Sequence, residues 1–125
     1  MNVTKLQFVT VPVADHGRAR EFYVGTLGFD VLVDRRGPGG EQFLMVAPKG
    51  AETGVVLADV KWEGRGTVHL QFHTEDVDGD ILALREKGVE VSDAQEMPWG
   101  RTASFVDVDG NPISLLTPSK LGDRP

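Results

Sequence analysis

Along residues 5–13 two sets of positions alternate: Leu6, Phe8, Thr10 and Pro12 on one, Gln7, Val9, Val11 and Val13 on the other. A period of two marks a strand with two different faces. Pro12 has no backbone N–H to give to a neighbour, which confines it to an outer strand or a bulge. Asp15 stands where a helix N-cap belongs, and Ala19, Phe22, Tyr23 and Leu27 follow at helical spacing as one apolar stripe. Gly28 supplies the left-handed stop. Three short strands are predicted near 29–35, 41–47 and 54–59, punctuated by Gly37-Pro38-Gly39-Gly40 and Pro48-Lys49-Gly50.

After a linker at 60–66 that carries Trp62, the same order begins again. A strand over 67–74 leads to a cap at Asp76. A helix follows with Val77, Ile81 and Leu84 on one face and Gly88 at its end. Strands near 89–95, 101–107 and 112–117 complete the second copy, and the polar tail 119–125 frays. The two first strands match at a constant offset of 61 residues, from Phe8 to His69. Val9, Val11 and Val13 thereby match Leu70, Phe72 and Thr74, a mostly apolar set expected beneath the helices. Phe8, Thr10 and Pro12 match His69, Gln71 and His73, a set too polar for a uniform core and suited to a pocket lining.

Each half therefore reads strand–helix–strand–strand–strand, and a four-stranded sheet with one helix keeps one face uncovered. The expected fold class is α+β: paired βαβββ modules forming a curved, partly open mixed sheet around a cleft, with the helices outside. One domain spans 1–125, with module one over 1–60 and module two over 67–118.

Composition narrows the partners. Thirteen Lys and Arg against nineteen Asp and Glu give a net charge of −6, and the longest basic run is Arg35-Arg36. Scattered cations on an acidic chain argue against a nucleic-acid partner. No apolar run approaches the ~20 residues of a membrane span. Without a basic-then-apolar N-terminal pattern, and with no Cys, the chain is expected in the cytoplasm. The missing Cys also removes thiolate ligands and Cys nucleophiles.

Among the three histidines, His69 carries the best functional claim. Its place beside Gln71 weighs a ligand contact evenly against a satisfied, half-buried strand histidine. His73 falls at a strand end and His16 in a solvated first helical turn. Trp99, within Met97-Pro98-Trp99-Gly100-Arg101, is balanced between a hydrophobic plug and a wall for a planar ligand. Trp62 suits a seam between modules or subunits. Asp107 and Asp109 sit in Asp107-Val108-Asp109-Gly110-Asn111-Pro112, which is hairpin-turn chemistry and lacks the spaced oxygens of a calcium loop.

Several segments then come together: Val13-Ala14-Asp15, Arg20-Glu21-Phe22-Tyr23, Leu27-Gly28-Phe29, Val68-His69-Leu70-Gln71-Phe72, Gly88-Val89-Glu90 and Asp107 to Ile113. In this order and spacing, from about Lys5 to Thr117, the chain resembles the vicinal oxygen chelate superfamily. That group includes glyoxalase I, extradiol dioxygenases, fosfomycin-resistance enzymes and bleomycin-resistance proteins. The resemblance implies a homodimer and, in the metal enzymes, a His, His and Glu set from the first strand of each module and the last strand. Here those positions are Phe8, His69 and Ser114, with Val56 at the last strand of the first module.

A catalytic divalent ion needs about three protein ligands and an open position. One imidazole does not meet that need, so neither a metal nor another cofactor is expected. The reading that follows is a small-molecule-binding protein similar to the bleomycin-resistance branch, sequestering a drug or metabolite, aromatic ligands among them. Its expected site is Phe8, Thr10, His69, Gln71, Trp99, Arg101 and Ser114. The alternative is a glyoxalase-like lyase, isomerase or dioxygenase acting through His69, whose ordinary pKa of about 6.5 suits acid–base work. A partner-binding domain with a vestigial cleft is the third reading.

Overall fold

Both helices begin at an aspartate whose carboxylate satisfies N–H groups that helix geometry leaves without partners. Asp15 accepts from Gly17 N at 2.8 Å and Arg18 N at 3.2 Å, and Asp76 accepts from Gly79 N at 3.0 Å. Both helical segments give way to a glycine of positive φ, Gly28 at +77° and Gly88 at +84°, which only a residue without Cβ adopts freely. The computed structural model describes residues 1–40, 42–59 and 68–119.

The elements run β1 (Phe8–Val13), α1 (His16–Arg20) continuing as a π-helical stretch (Glu21–Thr26), β2 (Asp30–Arg36), β3 (Gln42–Ala47) and β4 (Gly54–Asp59). They continue as β5 (Leu70–His73), α2 (Val77–Glu86), β6 (Gln95–Met97), β7 (Gly100–Val106) and β8 (Pro112–Pro118). The chain divides into two compact units, Met1–Val68 and His69–Pro125. No helix among the described residues is long and apolar enough to cross a membrane.

Each unit holds one mixed, open four-stranded sheet, ordered β1-β4-β3-β2 in the first and β5-β8-β7-β6 in the second. The first strand of each unit lies parallel to the last, and the remaining pairs are antiparallel. β1 is the outer strand of its sheet, the position that Pro12 demands.

Burial sorts the alternating residues as their pattern predicts. In unit one Val11, Val13, Leu44, Val46 and Leu57 are buried, as are Ala19, Phe22 and Tyr23 of the helical segment. The π-helical turn is closed by Leu27 N to Phe22 O at 2.9 Å. Its wider winding keeps the consecutive aromatics Phe22 and Tyr23 both buried, their rings edge-to-face 5.6 Å apart. In unit two Leu70, Ala103, Phe105 and Ile113 are buried, along with Val77, Ile81 and Leu84 of α2.

Three expectations need correction. The first strand begins at Phe8 rather than residue 5. The strand expected over 89–95 is irregular up to Ala94, and β6 occupies only Gln95–Met97. Its backbone is claimed elsewhere: Val89 N bonds Leu84 O at the end of α2, and the Arg85 guanidinium holds Val91 O at 2.8 Å. His16 is not a solvated first-turn residue. It is half-buried, with Nε2 at 2.9 Å from Leu57 O, tying the first helix to β4. The linker with Trp62, and residues 120–125, lie outside the described residues.

Candidate functional site

Since the helix-side residues of each sheet are buried, the opposite face is where solvent meets the strands. In unit one that face begins with Phe8, 37% exposed, followed by half-buried Thr10 and Pro12. Phe8 is in register with Gly54 and Thr10 with Val56. A Cβ on Gly54 would collide with Sδ and Cγ of Met45, so the absent side chain is what seats the Met45 thioether across β4. Phe43, 40% exposed, meets Phe8 edge-to-face with ring centroids 5.9 Å apart and an interplanar angle of 76°. Exposed, paired aromatics beside a polarizable thioether make an adaptable surface for flat apolar groups.

The corresponding face of unit two is polar. Ser114 on β8 is flanked in register by Gln71 on β5 and Ser104 on β7. His69, just before β5, places its Nε2 2.9 Å from Ser114 Oγ. His69, Gln71 and Ser104 are exposed and Ser114 is half-buried. The group offers hydroxyl, amide and imidazole atoms, able both to donate and to accept. His73 lies further along the same strand, exposed and with Nε2 2.8 Å from Glu75 Oε1.

Two expected site residues stand apart from this rung. Arg101 belongs to the alternate positions of β7, with buried Ala103 and Phe105, and faces α2. Its Nη2 and Nε hold the two carboxylate oxygens of Asp78 at 2.8 and 3.2 Å, and its Nη1 holds Glu96 at 2.5 Å. The hydrogen bond from Arg101 keeps the Asp78 carboxyl below the usual carboxylate range and raises the guanidinium in turn. These bonds commit Arg101 to joining α2, β6 and β7, away from His69 and Ser114. Trp99 occupies the β6–β7 turn, 47% exposed, with its carbonyl oxygen accepting from Ser119 N.

The register also tests the donors a metal would need. Thr10↔Val56 and Gln71↔Ser114 are equivalent rungs, so Val56 is the structural counterpart of Ser114. On the unit-one face Phe8 and Val56 offer no lone pair, and on the unit-two face a neutral hydroxyl accompanies one imidazole. Among the described residues no three His, Asp or Glu side chains are grouped to hold a metal ion. These residues do not fit a resident divalent ion. Phe43 and Met45, absent from the expected site, are what the unit-one face adds.

A family model described as the Glyoxalase/Bleomycin resistance protein/Dioxygenase superfamily matches residues 5–115. The chain is 46% identical to the crystal structure of TnmS3, an antibiotic binding protein from Streptomyces sp. CB03234, covering 95% of this chain and 99% of that one, with a TM-score of 0.86. A glyoxalase/bleomycin resistance protein from Streptomyces sp. CB03234 is 44% identical, with 90% of this chain and all of that one covered and a TM-score of 0.77. An uncharacterized Bacillus subtilis protein, YetH, is 33% identical over 90% of this chain and 98% of its own length.

Proposed function

The chain belongs to the glyoxalase/bleomycin resistance protein/dioxygenase superfamily, and we propose that within it this protein binds and sequesters a small molecule without a metal. The observation that carries the reading is the exposed Phe8–Phe43 pair, standing where a metal enzyme of the superfamily would begin its ligand set. Covering about 200 Å² of ligand against such a surface yields roughly 5 kcal/mol gross at ~25 cal/mol per Å², less the cost of association. Phe8 and Thr10 supply contacts on one sheet, while His69, Gln71 and Ser114 orient polar groups on the other. Trp99 contributes from its turn. The likeness to an antibiotic binding protein supports a drug or metabolite as the ligand class. We extend the proposal to a cytoplasmic homodimer, on the family resemblance.

The alternative, acid–base catalysis by His69, has less support. Its ring is bonded to a hydroxyl, and no carboxylate among the described residues bonds the imidazole to orient it. A thermal-shift screen against aromatic antibiotics and small keto compounds tests the binding reading. A rise in Tm with one class that Phe8→Ala removes is expected. No stabilisation by any compound defeats the reading, and a stoichiometric transition metal in protein purified without chelator defeats its metal-free part. Sedimentation velocity checks the dimer.

A further inference from the structure

β2 runs beside β3 with Val33 opposite Met45 and Arg35 opposite Phe43. Arg35 therefore shares a face with Phe43 and, through the ring contact, with Phe8. Directly opposed strand residues have Cβ atoms about 5 Å apart, well within the reach of an arginine stem. Arg35 is exposed, and among the described residues it makes no ion pair. The neighbouring carboxylate, Asp34, is in register with buried Leu44 and so belongs to the other face. There it is engaged by Arg20 at 2.7 Å and Gln42 at 2.8 Å. On a chain of net charge −6, a guanidinium with no ion pair among the described residues, beside an open aromatic pair, is a local reversal of the overall field.

We propose that Arg35, Phe8, Phe43 and Met45 form a subsite for a planar aromatic acid, the ring lying on the aromatic and thioether surface and its carboxylate on Arg35. The planar guanidinium fork matches a carboxylate with two parallel hydrogen bonds, and its weak hydration suits a position beside an aromatic ring. Phe8 and Phe43 are already paired edge-to-face, leaving ring surface for a third aromatic group. The proposal rests on the reading above that this sheet face takes a small-molecule ligand, and adds the charge and shape of that ligand.

The test compares anthracene-2-carboxylate with its neutral carboxamide by fluorescence titration. The wild type is expected to bind the acid about tenfold or more tightly over the amide. Arg35→Ala and Arg35→Gln should bring the acid to the affinity of the amide, while Phe43→Ala weakens both compounds by a similar factor. Circular dichroism confirms that each variant is folded. Equal binding of acid and amide by the wild type, or a preference that survives both Arg35 variants, overturns the proposal and leaves the broader binding reading intact. If neither compound binds, the subsite is wrong, and the broader reading stands or falls on the antibiotic thermal-shift panel. A dimer that Phe43→Ala dissociates, and that excludes the acid, would assign the face to a second copy and equally overturn the proposal.

Discussion

The sheet of residues 8–59 and the sheet of residues 70–118 have the same strand order, the same parallel outer pair and a capped helix after the first strand. Their buried faces are interchangeable in kind: Val11, Leu44 and Leu57 in one, Leu70, Phe105 and Ile113 in the other. Their open faces are not. One presents Phe8, Phe43 and Met45, the other His69, Gln71, Ser104 and Ser114. Burial holds the helix side to apolar residues of suitable volume, whereas the open side can change chemistry without disturbing the fold. A duplicated frame thus carries two chemically different open faces.

The sharpest way to test whether the two cores are equivalent is to truncate one fully buried aliphatic residue in each. Leu57→Ala and Ile113→Ala, both at fully buried positions, should each cost about 2–5 kcal/mol in urea unfolding. A loss confined to one variant would show that the sheets do not share the load equally. Glycines offer a second contrast. Gly100 has φ of +150°, and an added Cβ would strike the Thr117 carbonyl oxygen and Leu116 across β8. Gly54 has ordinary φ and would press only on the flexible Met45 side chain. Gly100→Ala is expected to cost about 3 kcal/mol and Gly54→Ala about 1 kcal/mol. Adding Met45→Ala should recover part of the Gly54→Ala loss, and no recovery would mean that Gly54 serves something other than the thioether.

The caps should differ less. Asp15→Ala and Asp76→Ala should each lower stability by about 1 kcal/mol in thermal unfolding. Asp15, with two N–H groups on its carboxylate against one for Asp76, should show the larger drop. The smallest effect concerns acid. Asp34 is held below the usual carboxylate range by its hydrogen bond from Gln42 and then by Arg20, and Asp78 by its bond from Arg101. A carboxyl lowered in the folded state adds stability above its unfolded pKa and loses it as pH falls through the folded value, so the window lies below about pH 4. Gln42→Leu and Arg101→Met should therefore raise the midpoint of acid unfolding slightly, with the solvent exposure of both pairs keeping the shift small. A loss of stability that persists unchanged well below the folded values, where both carboxyls are protonated, would point to lost packing instead.

Much of the frame was legible because local rules and burial agreed. The polar–apolar alternation of 8–13 and 69–74 divided those strands into the faces observed, and Pro12 marked an outer strand. The same signal failed on β3, where Phe43, Leu44, Met45, Val46 and Ala47 are apolar on both faces. Without contrast between neighbours, exposed Phe43 and half-buried Met45 carried no mark. Arg101 is expected among the ligand groups as a hydrogen-bond donor. The β7–β8 register put it on the helix side instead, where Asp78 and Glu96 consume its donors. The strand expected from residue 89 gives way to the close of α2, where Val89 N bonds Leu84 O, and to the Arg85 guanidinium on Val91 O.

By itself the sequence determined the duplicated order of elements, the helix caps and the core faces. These follow from spacing and side-chain chemistry within a few residues of chain. Only tertiary structure decided that Phe8 would meet Phe43, that Met45 would cross Gly54, and that Ser114 would lie between Gln71 and Ser104 beside His69. Those contacts depend on strand register, and a shift of one residue would turn every side chain to the opposite face.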